Sequence, residues 1–506
     1  MTSLQMGPSS PEHAASNSKT TLTIRLCGMC LVGGLSAVSL VFTFWSLHVS
    51  HIPTKSADRD GAGHHIRLGG AEGITLLPRN MVDFEVYRAG AQALVHHHSL
   101  YNVTFSTSEH DLPFTYPPFA ACVMVGFLVL PMAAGLVAHS IVSLGAILLA
   151  TVILTRHWEV RWRYLAAAMV VVSEPVRATL SFGQVNSLLL LLVVCDWWVL
   201  AERPPRCQCH RMTGVLTGIA AAVKLTPAVF ILVPLLRRDY ASTVRCLFSF
   251  AVATGLAAVA APHDSWSYIS HVVWATDRIG EPTIVANQSV KGVLGRATAS
   301  FPATWAQSGM TSILWAGVIS ALLLMLLLVA RHISRRSVEP PGLQDGGKHS
   351  HASRYVLPSM VALVGLLASP VSWTHHWVWA LPVIVTLCDI AVAGPSSSMD
   401  ERRQAFHVRS TWFAVATSGI FLVGAVWWAP ALSQWAVATV SWIFPDDVAY
   451  GGRMGNVVES ILLVISTCLR NVYVLWAGFA FVILVSVARS PAQRRRRNIR
   501  SWLLYR

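Results

Sequence analysis

Charge is what this chain has least of. Of 506 residues only 12% are Asp, Glu, Lys or Arg, while 54% are hydrophobic; a soluble domain carries about 25% charged residues. That balance excludes an ordinary water-soluble globule and reads as an all-α, polytopic membrane protein. Acid is the scarcer sign, 24 Asp and Glu against 38 Lys and Arg, for a formal charge of +14. The excess does not make a nucleic-acid binder, because the basic residues fall in short runs between apolar segments and mark topology. Cysteine gives no disulfide framework: Cys27, Cys30, Cys122, Cys195, Cys388 and Cys468 lie within or beside apolar spans. Cys207-Gln208-Cys209-His210 lacks a second ligand pair, and no outer segment gathers carboxylates at ligand spacing, so no metal is expected. There is no cleavable signal peptide, since residues 1–20 are polar and no small-residue cleavage site closely follows the first apolar run, which reads as an anchor.

What is present is a series of apolar runs near the roughly twenty residues a bilayer requires. They fall at about 23–47, 118–155 (long enough for two pieces), 164–180, 184–201, 212–236, 243–261, 310–330, 355–369, 375–393, 410–429 and 470–488. This predicts roughly ten to thirteen transmembrane helices. Basic runs at Arg156–Arg163, Arg203–Arg211, Arg237/Arg238/Arg245, Arg331–Arg354, Arg402–Arg409 and Arg494–Arg497 assign one side to the cytoplasm. The complementary segments 48–116, 173–186, 262–311, 369–376 and 430–469 then face outward, and they hold nearly all the unusual polar residues. Parity requires broken helices, and Lys224, three residues before Pro227, is expected at such a break.

In the first outer segment, Met81-Val-Asp83-Phe-Glu85-Val-Tyr87 read as a helix puts Asp83, Val86, Tyr87, Gly90, Ala91 and Leu94 on one stripe. Glu85, Arg88 and Gln92 point elsewhere. A carboxylate heading an apolar face must be a helix cap, a paired charge or a reactive group, because an unpaired ion at a low-dielectric surface costs several kcal/mol.

Four further constellations share that side. Pro113-Phe-Thr-Tyr116-Pro-Pro118 reads plainly as a stiff turn with an interfacial aromatic. Ser173-Glu174-Pro-Val-Arg177 and Phe182-Gly-Gln184-Val-Asn186 place an acid, a base and two amides in one short connection, whose plain reading is a Glu174–Arg177 ion pair. Asn287-Gln288-Ser289 lies among Arg278, Lys291 and Arg296, which read as solvated loop charges unless they meet a ligand. Ser369-Pro-Val-Ser-Trp-Thr-His375-His376-Trp377 puts two imidazoles at a helix start; neighbours about 100° apart suit hydrogen bonding or phosphate contact better than chelation. One acid, several cations, amides and imidazoles on one face fit group transfer from a lipid-linked phosphate, with the carboxylate as general base and the cations stabilising the leaving phosphate.

At these residues the chain resembles glycosyltransferase family 87, the actinobacterial polyprenol-phosphate-mannose-dependent α-(1→2)-mannosyltransferases that build phosphatidylinositol mannosides, lipomannan and lipoarabinomannan. The motifs carrying the resemblance are Asp83-x-x-Val-Tyr87 with Gly90, Leu100-Tyr101, Leu112–Pro118, Ser173–Arg177, Phe182–Asn186, Gly214–Pro227, Asn287–Ser289 and Ser369–Trp377. The resemblance implies a C-type membrane glycosyltransferase fold with a catalytic first outer loop, a site on the outer face of the plasma membrane, and no nucleotide sugar or cofactor beyond the lipid-linked donor. It carries a general base onto Asp83 and a catalytic histidine onto His375 or His376. Substrate contacts are expected from Glu85, Arg88, Tyr116, Glu174, Arg177, Gln184, Asn186, Lys224, Asn287 and Gln288, with Lys224 and Arg177 as phosphate candidates on chemical grounds. Asp58 and Asp60 are rival bases. The expected organisation is a cytoplasmic tail at 1–22, a transferase domain at 23–488 with its first outer loop at 48–117, and a basic cytoplasmic tail at 489–506. The expected partners are the polyprenyl-phosphate-mannose donor, a glycolipid acceptor and the bilayer. Two other readings share some of these features. An arabinofuranosyl or other polyprenyl-phosphate-sugar transferase would keep the chemistry, and a secondary transporter or flippase would keep the helix count. The missing internal repeat and the gathering of charges on one face disfavour transport.

Overall fold

The computed structural model describes residues 81–108, 111–203, 207–298, 309–336, 348–393, 408–428 apart from 410 and 414, and 453–489. The 23–47 span, Asp58, Asp60, both tails save residue 489, and the basic runs 402–407 and 494–497 lie outside these residues. Within them the chain is helical except for one hairpin. Helix α1 (Val82–Val95) is followed by β1 (Thr104–Ser106) and β2 (Asp111–Pro113), paired antiparallel with Phe105 opposite Leu112. Then come α2 (Pro118–Met124), α3 (Met132–Leu154), α4 (Val160–Val172), α5 (Glu174–Phe182) and α6 (Asn186–Val194). The sequence continues with α7 (Val215–Val223), α8 (Leu232–Leu236), α9 (Tyr240–Ala260), α10 (Pro262–Ser270) and α11 (Val290–Thr298). Helices α12 (Met310–Arg336), α13 (Lys348–Ala368), α14 (Ala380–Ala393), α15 (Ile420–Val423), α16 (Arg453–Arg470) and α17 (Val472–Arg489) complete it.

Among the described residues four helical segments are long and apolar enough to cross a bilayer: Met132–Leu154, Tyr240–Ala260, Met310–Ile333 and Thr374–Val392. Counting each sharply bent pair as one span raises this to six, and four shorter apolar helices account for further hydrophobic runs. The all-α polytopic architecture stands, but uninterrupted spans are fewer than apolar runs because polar and Gly/Pro-containing motifs interrupt them. The 118–155 run does split into two pieces, at Leu130-Pro131. The 164–180 run bends by 55° between α4 and α5, at Ser173 before Pro175. The 212–236 run stops at Lys224, whose backbone is extended (φ −152°, ψ 130°), and resumes as a 3-10 turn beginning Thr226-Pro227.

The two ends of the bundle differ in chemistry. At one end Arg156 pairs with Glu202 and hydrogen-bonds Tyr355, while His157 and Trp158 both contact Asp389. This is the end of the expected cytoplasmic basic runs. Helix α3 leads from there back to His139 and Gly135, which pack against Phe84 of α1; at 1.5 Å per residue they lie roughly 22 and 28 Å from its Leu154 end. Between the ends, α3 packs on α6, α7 on α9, and α13 on α14 and α17. The α7–α9 contact is close because Gly218 carries no side chain: a Cβ there would collide with Ser249 Oγ and the Cys246 carbonyl. Asp196 fastens the start of α7, accepting hydrogen bonds from the Gly214 and Thr217 amides at 2.9 and 2.7 Å.

Candidate active site

Helix α1 forms over the predicted stripe, with Val86, Tyr87, Gly90, Ala91 and Leu94 buried and Gln92 exposed. Asp83 is not its cap. The N-cap position belongs to Met81, in a left-handed conformation with no side-chain cap, and Asp83 sits in the first turn, where the helix dipole favours negative charge. The turn after α5 packs against this start. Gly183 closes α5 at φ +70°, and a Cβ there would lie 2.8 Å from Phe84 Cβ, so glycine lets the Phe182-Gly-Gln184 turn reach α1.

That approach delivers Gln184 into a buried polar cluster. Its Oε1 accepts from Tyr87 OH and Lys224 Nζ, each at 3.1 Å, and its Nε2 donates to Tyr116 OH at 3.1 Å. Lys224 Nζ also reaches Asn186 Oδ1 at 3.0 Å and His376 Nε2 at 3.2 Å, and lies 5.1 Å from the centre of the Tyr116 ring. An ammonium has three N–H donors and no acceptor. Lys224 has three acceptors, so the geometry fits a protonated lysine facing a neutral imidazole that presents its lone pair. Asp83 lies within electrostatic range of Lys224, Tyr87 and Tyr116. Burial pushes the Tyr116 phenol above its ordinary range, and the Asp83 charge adds to it. Tyr87 is raised by burial and then by Tyr116 and Asp83, so both phenols stay protonated as donors.

His375 sits beside His376, ring centroids 4.6 Å apart and nearly perpendicular. Its carbonyl accepts from Thr179 Oγ1 at 3.0 Å and Asn186 Nδ2 at 3.1 Å, which ties the histidine turn to α5 and α6. Its Nε2 is buried without a hydrogen-bond partner. Arg177 similarly keeps Nε and Nη2 buried and without a hydrogen-bond partner. The plainer alternative, a Glu174–Arg177 ion pair, is not formed. The Glu174 oxygens instead accept from Trp427 Nε1 at 2.9 Å and Tyr473 OH at 2.8 Å.

The structure therefore brings together Tyr116, Gln184, Asn186, Lys224, His375 and His376, with Asp83 in electrostatic range and Glu174 and Arg177 on the adjoining turn of α5. Glu85 and Arg88 are not brought in: Glu85 accepts from the Ser108 amide at 2.7 Å, and Arg88 donates to the Phe127 carbonyl at 2.7 Å. Asn287 and Gln288 act as struts. Asn287 Oδ1 accepts from the Ser372 amide at 2.9 Å, and its Nδ2 donates to the Pro282 and Pro370 carbonyls. Gln288 Nε2 donates to the Arg470 carbonyl at 2.7 Å, and its Oε1 accepts from the Tyr473 amide at 3.2 Å. Arg278 and Arg296 are likewise engaged, on the Tyr101 carbonyl and on Asn471 Oδ1. Sequence reasoning passed over Tyr87 as a site residue, although its spacing four after Asp83 placed both on one stripe. It missed Tyr473 and Trp427 altogether, and neither lies in a motif that points to Glu174. Among the described residues no three His, Cys, Asp or Glu side chains gather to hold a metal ion.

A family model for glycosyltransferase family 87 matches residues 114–345. The match takes in Tyr116, Glu174, Arg177, Gln184, Asn186, Lys224, Asn287 and Gln288, and leaves Asp83, Glu85, Arg88 and the histidine pair outside it. The chain is 35% identical over 326 residues to a polyprenol-phosphate-mannose-dependent alpha-(1-2)-phosphatidylinositol mannoside mannosyltransferase of Mycobacterium tuberculosis, covering 60% of this chain and 70% of that protein. It is also 35% identical to the protein of the same name from Mycolicibacterium smegmatis, over 67% of this chain and 73% of that one. A polyprenol-phosphate-mannose-dependent alpha-(1-2)-phosphatidylinositol pentamannoside mannosyltransferase of Mycolicibacterium smegmatis is 31% identical, over 72% of this chain and 85% of its own length. No solved structure matches.

Proposed function

This chain belongs to glycosyltransferase family 87, and on that premise we propose that it transfers mannose from polyprenyl-phosphate-mannose to a mannose hydroxyl of a phosphatidylinositol-mannoside-type membrane glycolipid, forming an α-(1→2) linkage. The observation that carries the mechanism is the placement of Asp83 within electrostatic range of Lys224, whose Nζ is held by Gln184, Asn186 and His376 at one end of a helical bundle. In this reading the acceptor hydroxyl gives its proton to the Asp83 carboxylate as its oxygen bonds to the anomeric carbon. The bond from that carbon to the phosphate oxygen breaks on the opposite face. The electron pair leaves with polyprenyl phosphate, so a β-linked donor yields an α-linked product in one inverting displacement. Lys224 places a fixed positive charge in a water-poor site where the phosphate gains negative charge, and such charge is worth more there than in water. The buried N–H groups of Arg177 supply a second contact for phosphate. Asn287 and Gln288 hold the Ser372–His376 turn in place and thereby orient the imidazoles.

In this reading the site faces the extracytoplasmic side of the plasma membrane. It lies across the bundle from Arg156–Arg163, which the positive-inside rule places in the cytoplasm. On this reading the transferase domain spans 23–488 between tails 1–22 and 489–506, and the lipid-linked donor is the only activated group the reaction needs. The direct test is Asp83→Asn in membranes supplied with labelled polyprenyl-phosphate-mannose. General-base removal is expected to cost about 10²–10⁴-fold in transfer, with Asp58→Asn and Asp60→Asn near the parent rate. Full transfer by Asp83→Asn would exclude this base.

A further inference from the structure

Helix α10 turns an acid inward and two large apolar side chains outward, beside the exposed His263. Asp264, Ser265 and Tyr268 are buried, whereas Trp266 is 70% and Ile269 55% exposed, and Trp274 just beyond the helix is 75% exposed. Positions 262, 266 and 269 share one helical stripe. A helix facing water shows the reverse arrangement. Two polar groups beside this stripe are already satisfied: Ser270 Oγ donates to the Trp266 carbonyl at 2.7 Å, and Trp274 Nε1 donates to the Ile269 carbonyl at 2.9 Å. Apart from the exposed His263 and His271 imidazoles, the outward surface is hydrocarbon and aromatic ring, the mixture of polar and aromatic groups that suits the headgroup layer. Its location fits. Spanning helix α9 ends at Ala260 and α10 starts at Pro262, so α10 begins within roughly 7 Å of chain from the edge of the bilayer.

We propose that α10 and Trp274 lie in the headgroup layer of the phospholipid leaflet as an interfacial anchor, with Trp266, Ile269 and Trp274 facing the acyl chains, and that this anchor sets the depth of the first outer loop. The partner is the lipid surface itself. The inner side of the anchor grips the loop directly. Asp264 Oδ1 accepts from the Leu100 amide at 3.1 Å and from Ser99 Oγ at 3.3 Å, and Arg278 Nη2 donates to the Tyr101 carbonyl at 3.0 Å. Tyr101 OH then donates to the Tyr116 carbonyl at 2.7 Å, and Tyr116 is the residue that meets Gln184. The anchor thus holds Leu100, and Arg278 just beyond it holds Tyr101, whose hydroxyl leads through Tyr116 to Gln184 in the polar cluster that Lys224 joins.

The test places a nitroxide spin label on Trp266→Cys, Ile269→Cys and Trp274→Cys in turn, in the full chain with its nine native cysteines replaced. The proteins are held in nanodiscs of phosphatidylcholine and phosphatidylglycerol, and collision with oxygen is compared with collision with a water-soluble nickel chelate. Oxygen should dominate at all three positions, and nickel at a control label on the exposed Gln92. Nickel dominance at two of the three would place the segment in water and overturn the proposal. So would shelter from both agents, which would mean that protein covers this face. The readout is independent of catalysis, so its failure and that of the transferase reading are distinguishable.

Discussion

Lys224 Nζ stands 3.2 Å from His376 Nε2, although 152 residues separate them in the chain. Each belongs to a segment where regular helix gives way: Lys224 is the extended residue after α7, and His376 lies in the 3-10 turn Thr374–Trp379 before α14. Broken helices leave side chains and backbone groups to be satisfied by neighbours, and these two breaks satisfy each other. The contact also joins the two halves of the site, because Gln184 and Asn186 share the same ammonium.

Lys224→Met leaves Gln184, Asn186 and His376 without their common donor. Loss of one charge-stabilising donor at a reacting centre costs about 10²–10³-fold in rate, and transfer from labelled polyprenyl-phosphate-mannose should fall by that order. Lys224→Arg should not restore it, since a planar guanidinium cannot place three N–H groups around one point. Rates within tenfold of the parent in Lys224→Met would remove lysine from the chemistry.

Asn287→Ala removes the acceptor for the Ser372 amide and the donors to Pro282 and Pro370. The histidine turn loosens, while no group assigned to the reacting atoms is lost. A small misplacement of catalytic groups costs about 10²-fold. Maximal rate should therefore drop more than apparent donor affinity, and steady-state kinetics separate the two; an affinity loss with an unchanged maximal rate would instead make Asn287 a substrate contact.

Tyr473→Phe takes away the hydroxyl that donates to Glu174 at 2.8 Å. A buried acceptor left short of a partner costs about 1–3 kcal/mol. The variant should unfold at lower temperature in detergent, and Glu174→Gln should be less sensitive to the same change because a neutral amide demands less from its donors. Equal losses in both backgrounds would show that Glu174 and Tyr473 are not coupled.

Gly90→Ala puts a Cβ 2.5 Å from Phe114 Cε2, inside a fully buried ring contact. Overpacking of this kind costs about 1–3 kcal/mol. The hairpin carrying Phe114 must shift, so stability and transfer should fall together, and Phe114→Leu should recover part of both in the double variant. Additive losses would mean that the ring yields without cost.

Local reading went far where chemistry is local. Apolar runs announce helices, the four-residue spacing of Asp83 and Tyr87 announces one helical stripe, and Pro227 announces the break that Lys224 occupies. It went less far where partners are distant. Glu174 invites an ion pair with Arg177 three residues on, yet its oxygens go to Trp427 and Tyr473, 253 and 299 residues away. Glu85 and Arg88 have the right chemistry in the right segment, but the pitch of α1 turns them to Ser108 and Phe127. Asn287 and Gln288 read in the sequence as polar amides of an outer motif; their hydrogen bonds to Ser372, Pro370 and Arg470, 83 to 182 residues away, are visible only in the fold.

The sequence by itself determined the solvent, the helical class and the inventory of reactive groups, because hydropathy and periodicity are properties of neighbours along the chain. Tertiary structure alone decided which of those groups meet. The order in which helices pack selects one partner among many for each buried polar side chain, and desolvation makes that choice binding: a lysine taken from water must find its acceptors wherever the bundle has placed them.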